Sequence, residues 1–169
     1  MRSLRSRLPV VTGLSLLASA CVSPTGTLPG VVVATDATSY VAELVPGTPP
    51  RTHYAFRVIV RTTNGSLQPV HLGRCNPESA GPLFGVVLHP EAAGARSAYD
   101  PIWACVGGAQ PIVIRPGAER VDTLIVQGPT VFNGVTGEPL GVAEGTMSLR
   151  LASEGRPVMS NRFSVSLAP

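Results

Sequence analysis

Residues 53–62 read HYAFRVIVRT. In an extended chain Tyr54, Phe56, Val58 and Val60 fall on one side, and Ala55, Arg57, Ile59 and Arg61 on the other. Period-two alternation of this kind predicts a strand with one buried face and one wet face. Asn64-Gly65 follows at once, and both residues tolerate the positive φ of a tight hairpin turn. Gln68 to Arg74 is therefore expected to return alongside, with Val70 and Leu72 inward and His71 outward.

The same pattern recurs in both directions from this strand. Upstream, Val31 to Thr35 is a β-branched run and Ser39 to Val45 a second strand, ended by the turn-rich stretch from Val45 to Pro50, where proline cannot donate to a ladder. Downstream, Leu83 to His89 is an apolar run broken by Gly85, and Glu91 to Ala98 is Ala/Gly-rich. Ile112 to Ile114 and Val121 to Gln127 are expected to flank a Pro116-Gly117 turn. Gly128 to Gly145 carries five glycines and two prolines, counting both ends, and is expected to be a long irregular loop. Met147, Leu149 and Leu151 alternate with Ser148 and Arg150, and Phe163, Val165 and Leu167 with Ser164 and Ser166, around a turn at Gly155-Arg156-Pro157. Tyr54, Phe56, Val58 and Val60 are expected to bury against Leu149, Leu151, Phe163 and Val165. Short strands with turns between them, and no capped helical stripe outside the leader, predict an all-β antiparallel sandwich of about seven to nine strands.

The first 20 residues read differently. Arg2, Arg5 and Arg7 precede an apolar stretch, Leu8 to Ala20, too short to cross a hydrocarbon core as a helix, which takes about 20 residues. It has the length and flanks of a signal peptide. Its end, Leu17-Ala18-Ser19-Ala20-Cys21, resembles the lipobox of bacterial lipoproteins. That resemblance implies cleavage before Cys21, lipidation of its thiol and anchoring in the cell envelope. Val22, in place of the aspartate associated with inner-membrane retention, favours the outer membrane. Ordinary cleavage nearby, leaving Cys21 as a free thiol, is the alternative. The chain then divides into a signal peptide (1–20), a lipidated cysteine with its tether (21–30) and a β-sandwich domain (31–169).

Charge follows the same division. The chain has 13 Lys plus Arg, all arginine, against 10 Asp plus Glu, for a net charge of +3. Three of the arginines lie in the leader, so the mature chain is balanced. Nothing clusters the positive charge that phosphates require, which argues against a nucleic-acid partner.

Cys75 and Cys105, 30 positions apart, are the two cysteines left to pair once Cys21 is lipidated, and a structural disulfide is expected between them. There is no CxxC, and no histidine stands at zinc-ligand spacing from either, so a redox or metal role fits poorly. Trp103, the one tryptophan, is expected to pack near the cystine. The disulfide should tie the ends of a segment with few apolar anchors of its own. His53, His71 and His89 have no HxH or HxxxH neighbour and read as solvent-facing. Glu78, Glu91, Asp100, Glu138 and Glu144 are loop carboxylates, and no Gly-x-Ser-x-Gly turn or phosphate loop occurs. The expectation is a non-enzymatic domain without cofactor or metal.

Cys75, Trp103, Cys105, Pro116 and Gly117, over about residues 50–168, resemble small immunoglobulin-like domains of exported bacterial lipoproteins. This implies an immunoglobulin-like sandwich held to the membrane by lipid, binding or supporting an envelope partner whose identity stays open. The tryptophan before a strand and the Pro-Gly turn are also similar to bacterial proteinase inhibitors of the BsuPI type, with Gly145-Thr146-Met147 where those carry Gly-x-Tyr. That second resemblance implies a peptidase inhibitor presenting an exposed loop, 90–102 or 128–145.

Overall fold

The computed structural model describes residues 28–45, 53–91, 94–105 and 107–169. The expected signal peptide, Cys21 and most of the expected tether lie outside the described residues. Within them the chain is all-β, without a helix.

Its strands are β1 (Val31–Thr35), β2 (Ser39–Val45), β3 (His53–Asn64), β4 (Val70–Leu72), β5 (Phe84–His89), β6 (Ile112–Ile114), β7 (Glu119–Gly128), β8 (Val131–Phe132), β9 (Pro139–Leu140), β10 (Gly145–Leu151), β11 (Val158–Met159) and β12 (Phe163–Leu167). Eight of them form one mixed sheet, and β4–β6 and β8–β9 form two small ones. The long strand β3 pairs antiparallel with β7 over ten residues and with β1 on its other edge. β10 pairs with β5, β11 and β12.

The sheet folds over on itself at β2. Ser39–Ala42 runs beside β12, and Glu43–Val45 beside β3. One core then lies between the two halves, with Phe56, Val58, Val60, Leu124 and Val126 on one side and Phe84, Val86, Met147, Leu149, Leu151, Phe163 and Val165 on the other. The rings of Tyr40, Phe56, Tyr99 and Phe163 close it edge-on or tilted. Arg57 and Arg61 are exposed, as the alternation requires.

Several expectations are corrected. The sheet is not purely antiparallel, because β2 and β12 run parallel. There is no hairpin at Asn64-Gly65: β4 pairs with β6, and neither residue 64 nor 65 has a positive φ. Asn64 is fully buried instead. Its Nδ2 donates to the Gln68 and Ile114 carbonyls, and its Oδ1 accepts from the Ser66 amide. The side chain thus satisfies backbone that a hairpin would have paired. Tyr54 is half-buried, not buried, because it ends the sheet opposite Gly128. The segment 128–145 is not irregular throughout: it holds the β8–β9 hairpin and a bridge from Val142 to Ser97. The Pro116-Gly117 turn is present, with Gly117 at φ 72°.

Cys75 and Cys105 are joined by a disulfide, with α-carbons 4.6 Å apart. Neither sits in a strand; Cys75 is buried and Cys105 exposed, so the bridge ties two connecting segments from the interior out to the margin of the fold. The segment between them has a strong anchor of its own. Ala98 and Tyr99 are buried, and Tyr99 reaches the core to meet Phe56. Trp103 is 41% exposed and packs edge-on against Phe84, so it borders the core without entering it.

Candidate functional site

The outer face of the β5–β10–β11 layer is a trough. In a strand of alternating residues, the odd-numbered side chains of β5 and the even-numbered ones of β10 point away from the core. The register sets Gly85 opposite Arg150 and Val87 opposite Ser148. The connections after β5 and around β11 raise walls on either side. Three adjoining cavities of about 390, 580 and 310 Å³ result, and Arg150 lines all three. Trp103, Pro101 and Leu83 stand at one end, Met159 and Arg162 at another, and Arg96 with Glu91 along the side.

Gly85 is what lets Arg150 lie where it does. A Cβ there would stand 2.9 Å from Asp100 Oδ1 and 3.3 Å from Arg150 Nη2. The carboxylate and the guanidinium therefore converge over the bare backbone of Gly85. Asp100 Oδ1 is already engaged, accepting the Val86 amide at 3.0 Å. Trp103 Nε1 donates to the Phe84 carbonyl at 2.7 Å. Two side chains of the disulfide-bounded segment thus clasp the start of β5.

His89 Nε2 lies 2.8 Å from Ser148 Oγ. That separation suits a nucleophile and its base, but Ser148 is only 2% exposed, so an acyl carbon has no approach to its oxygen. The histidine's pKa is lowered, first by burial and then by Arg162, with Glu91 opposing. Its neutral ring serves to satisfy a buried hydroxyl.

The remaining residues of interest are dispersed. His71 pairs with Glu154 at 2.7 Å, and His53 packs edge-on against Phe132. Among the described residues no three His, Cys, Asp or Glu gather as a metal site would need. Of the loop carboxylates, Glu91 and Asp100 meet in the trough, whereas Glu144 accepts the Leu167 amide and Glu138 a bond from Thr136. Of the two loops expected to be exposed, 128–145 carries the more exposed tip among the described residues. Val135 is 95% exposed there, and Asn133 Oδ1 accepts the amides of Val135 and Thr136.

Sequence reasoning missed Arg150, which read only as the wet side of a strand. The available signal was Gly85, an interruption in an otherwise apolar run at the position that faces it.

No protein-family model matches the chain, and no curated protein matches it. A solved structure, the X-ray structure of Northeast Structural Genomics Consortium target SoR45, aligns with 14% identity over 81% of this chain and 86% of its own, at a TM-score of 0.42.

Proposed function

We propose that this chain is a non-catalytic binding or structural domain of the bacterial cell envelope, held to the membrane by lipid on Cys21. Its immunoglobulin-like sandwich would serve as the scaffold, and the outer membrane is favoured over the inner. The anchor rests on the basic, apolar and small-residue leader ending at Cys21. The finer fold reading draws support from the doubling of the sheet at β2 and from the cystine. The observation that carries the binding role is the trough centred on Arg150: a recessed surface with an aromatic end, apolar walls and convergent charges is the usual form of a recognition site.

Fractionation and pull-down test the two halves separately. Cys21→Ser should leave the protein soluble or as uncleaved precursor, and a processed membrane form of that variant would refute the anchor. The lipidated wild type should retain an envelope component that Arg150→Glu releases. Equal retention by both would remove the trough from the function.

One observation favours a second reading, peptidase inhibition. The β8–β9 tip is exposed, held at both ends and braced internally by Asn133. A panel of envelope peptidases assayed with wild type and Val135→Asp would separate the readings. Inhibition lost in the variant would establish the inhibitor, and its absence across the panel would leave the trough.

A further inference from the structure

The backbone of β5 has two edges, and the hydrogen bonds assign them. Leu149 turns its amide to Ser160 Oγ and its carbonyl to the Ser160 amide, away from β5. Its register partner Val86 must then face the other way, as must Phe84 and Leu88, since the direction alternates along an antiparallel pair. The outer edge of β5 is therefore made of Phe84, Val86 and Leu88. Its first half is closed: Trp103 Nε1 takes the Phe84 carbonyl, and Asp100 takes the Val86 amide.

The second half is open. The Val86 carbonyl and both backbone groups of Leu88 have no hydrogen-bond partner among the described residues. The cavity of about 310 Å³ runs along this half, between the edge and residues 95–97. A sheet edge left with free donors and acceptors is a template for another strand. The Val86 C=O and Leu88 N–H point the same way from either side of Val87. A single residue of an added chain can give its N–H to one and its C=O to the other.

Charge selects the occupant. Arg96 and Arg150 line this slot, and Arg162 the adjoining cavity, with no ion-pair partner among the described residues. Two carboxylates, Glu91 and Asp100, stand among these three guanidinium groups, which leaves one positive charge in excess, and Asp100 is held in place by the Val86 amide. We propose that the open half of β5 takes in an extended acidic peptide segment of a partner protein, which pairs with Val86 and Leu88 as an added strand while its carboxylates meet Arg96 and Arg150. This rests on the binding-domain reading above and names the partner's chemistry.

The test pans full-length protein in detergent against a displayed library of short linear peptides, with peptidoglycan fragments as a parallel probe. Enriched peptides should carry Asp or Glu at alternate positions and should protect the Leu88 amide from exchange when bound. Arg150→Glu should weaken them by about tenfold or more, the effect of losing one charged hydrogen bond. Leu88→Pro should abolish binding, since it deletes a donor on the open edge without touching the β10 ladder. If that variant does not fold, amide protection in the wild type carries the same information. Enrichment of neutral or basic peptides, an unprotected Leu88 amide, or binding of the glycan fragments alone would overturn the proposal. An envelope partner retained by wild type and by Arg150→Glu alike, with Leu88 unprotected, would sink strand addition yet leave a binding domain standing. Failure of both library and envelope extract would sink both.

Discussion

Phe56 and Tyr99 meet edge to face, their ring centroids 5.1 Å apart at 88°. The contact joins the first half of β3 to a residue six positions before Cys105, and it places the Tyr99 hydroxyl inside the fold. That oxygen is buried and has no hydrogen-bond partner among the described residues. A buried hydroxyl without a partner costs about 1–3 kcal/mol. Tyr99→Phe keeps the ring contact and removes the penalty, so it should raise stability by about 1 kcal/mol in urea denaturation. A loss of that size would show that the hydroxyl is satisfied.

The same burial makes an alkaline prediction. Burial, with the nearby Glu144 and Tyr54, pushes the Tyr99 pKa up to about 12, from 10.0. The folded state thus holds this proton more tightly than the unfolded state. Its contribution is intact below about pH 10 and is lost as pH rises toward about 12, for a total of roughly 3 kcal/mol. Tyr99→Phe should flatten the fall in stability over that window relative to wild type. Parallel curves would refute the raised pKa.

Alternation made much of the core legible. Phe56, Val58 and Val60 are buried and Arg57 and Arg61 exposed because a strand with one wet face admits only one register. What alternation leaves open is which strand lies beside which. Val70 and Leu72 point inward whether β4 pairs with β3 or with β6, so three residues of pattern could not reveal the true neighbour. Tyr99 directly follows the Ala/Gly-rich stretch Glu91 to Ala98, with no period to mark it. Arg150 was legible as exposed, but its place at the centre of a trough depends on walls contributed by distant loops.

Asn64 gives the clearest mutational test of that rearranged turn. Asn64→Leu would strip partners from the Gln68 and Ile114 carbonyls and the Ser66 amide in a buried site. At about 1 kcal/mol or more per bond, the cost should reach roughly 3 kcal/mol. A hairpin turn exposed to water would lose much less, so a change under about 1 kcal/mol would contradict the buried geometry.

Gly128 tests how closely the Tyr99 segment is held. A Cβ at Gly128 would fall 2.4 Å from the Ala98 carbonyl oxygen, which is backbone and cannot turn aside. Gly128→Ala should cost about 1–3 kcal/mol through forced displacement of Ala98 and Tyr99. Gly134→Ala, where no atom stands within 4 Å and φ is not positive, is the control and should be neutral or slightly stabilising. Equal effects at the two sites would mean that the approach of Gly128 to Ala98 is not tight.

The disulfide acts on the part of this segment that Tyr99 does not reach. From Tyr99 the chain runs through Asp100 and Trp103 to Cys105, held to β5 by the bonds to Val86 and Phe84. Those two bonds are only part-buried and lie on the stretch that leads out to the exposed Cys105, whereas Tyr99 is fixed in the core. Closing a loop of 30 residues is worth about 3–4 kcal/mol by the chain-entropy argument. Replacing both cysteines with alanine should lower the melting temperature accordingly. The loss should be uneven. The emission of Trp103, the one indole, should shift to the red as its ring leaves Phe84, and the Val86 amide should exchange faster as Asp100 lets go. Tyr99 should remain in contact with Phe56, so ring-proton shifts of that pair should persist below the new melting point. An unchanged melting temperature with unshifted Trp103 emission would mean that the clasp on β5 holds without the cystine. Loss of the Tyr99–Phe56 contact below melting would mean that the cystine secures the whole segment.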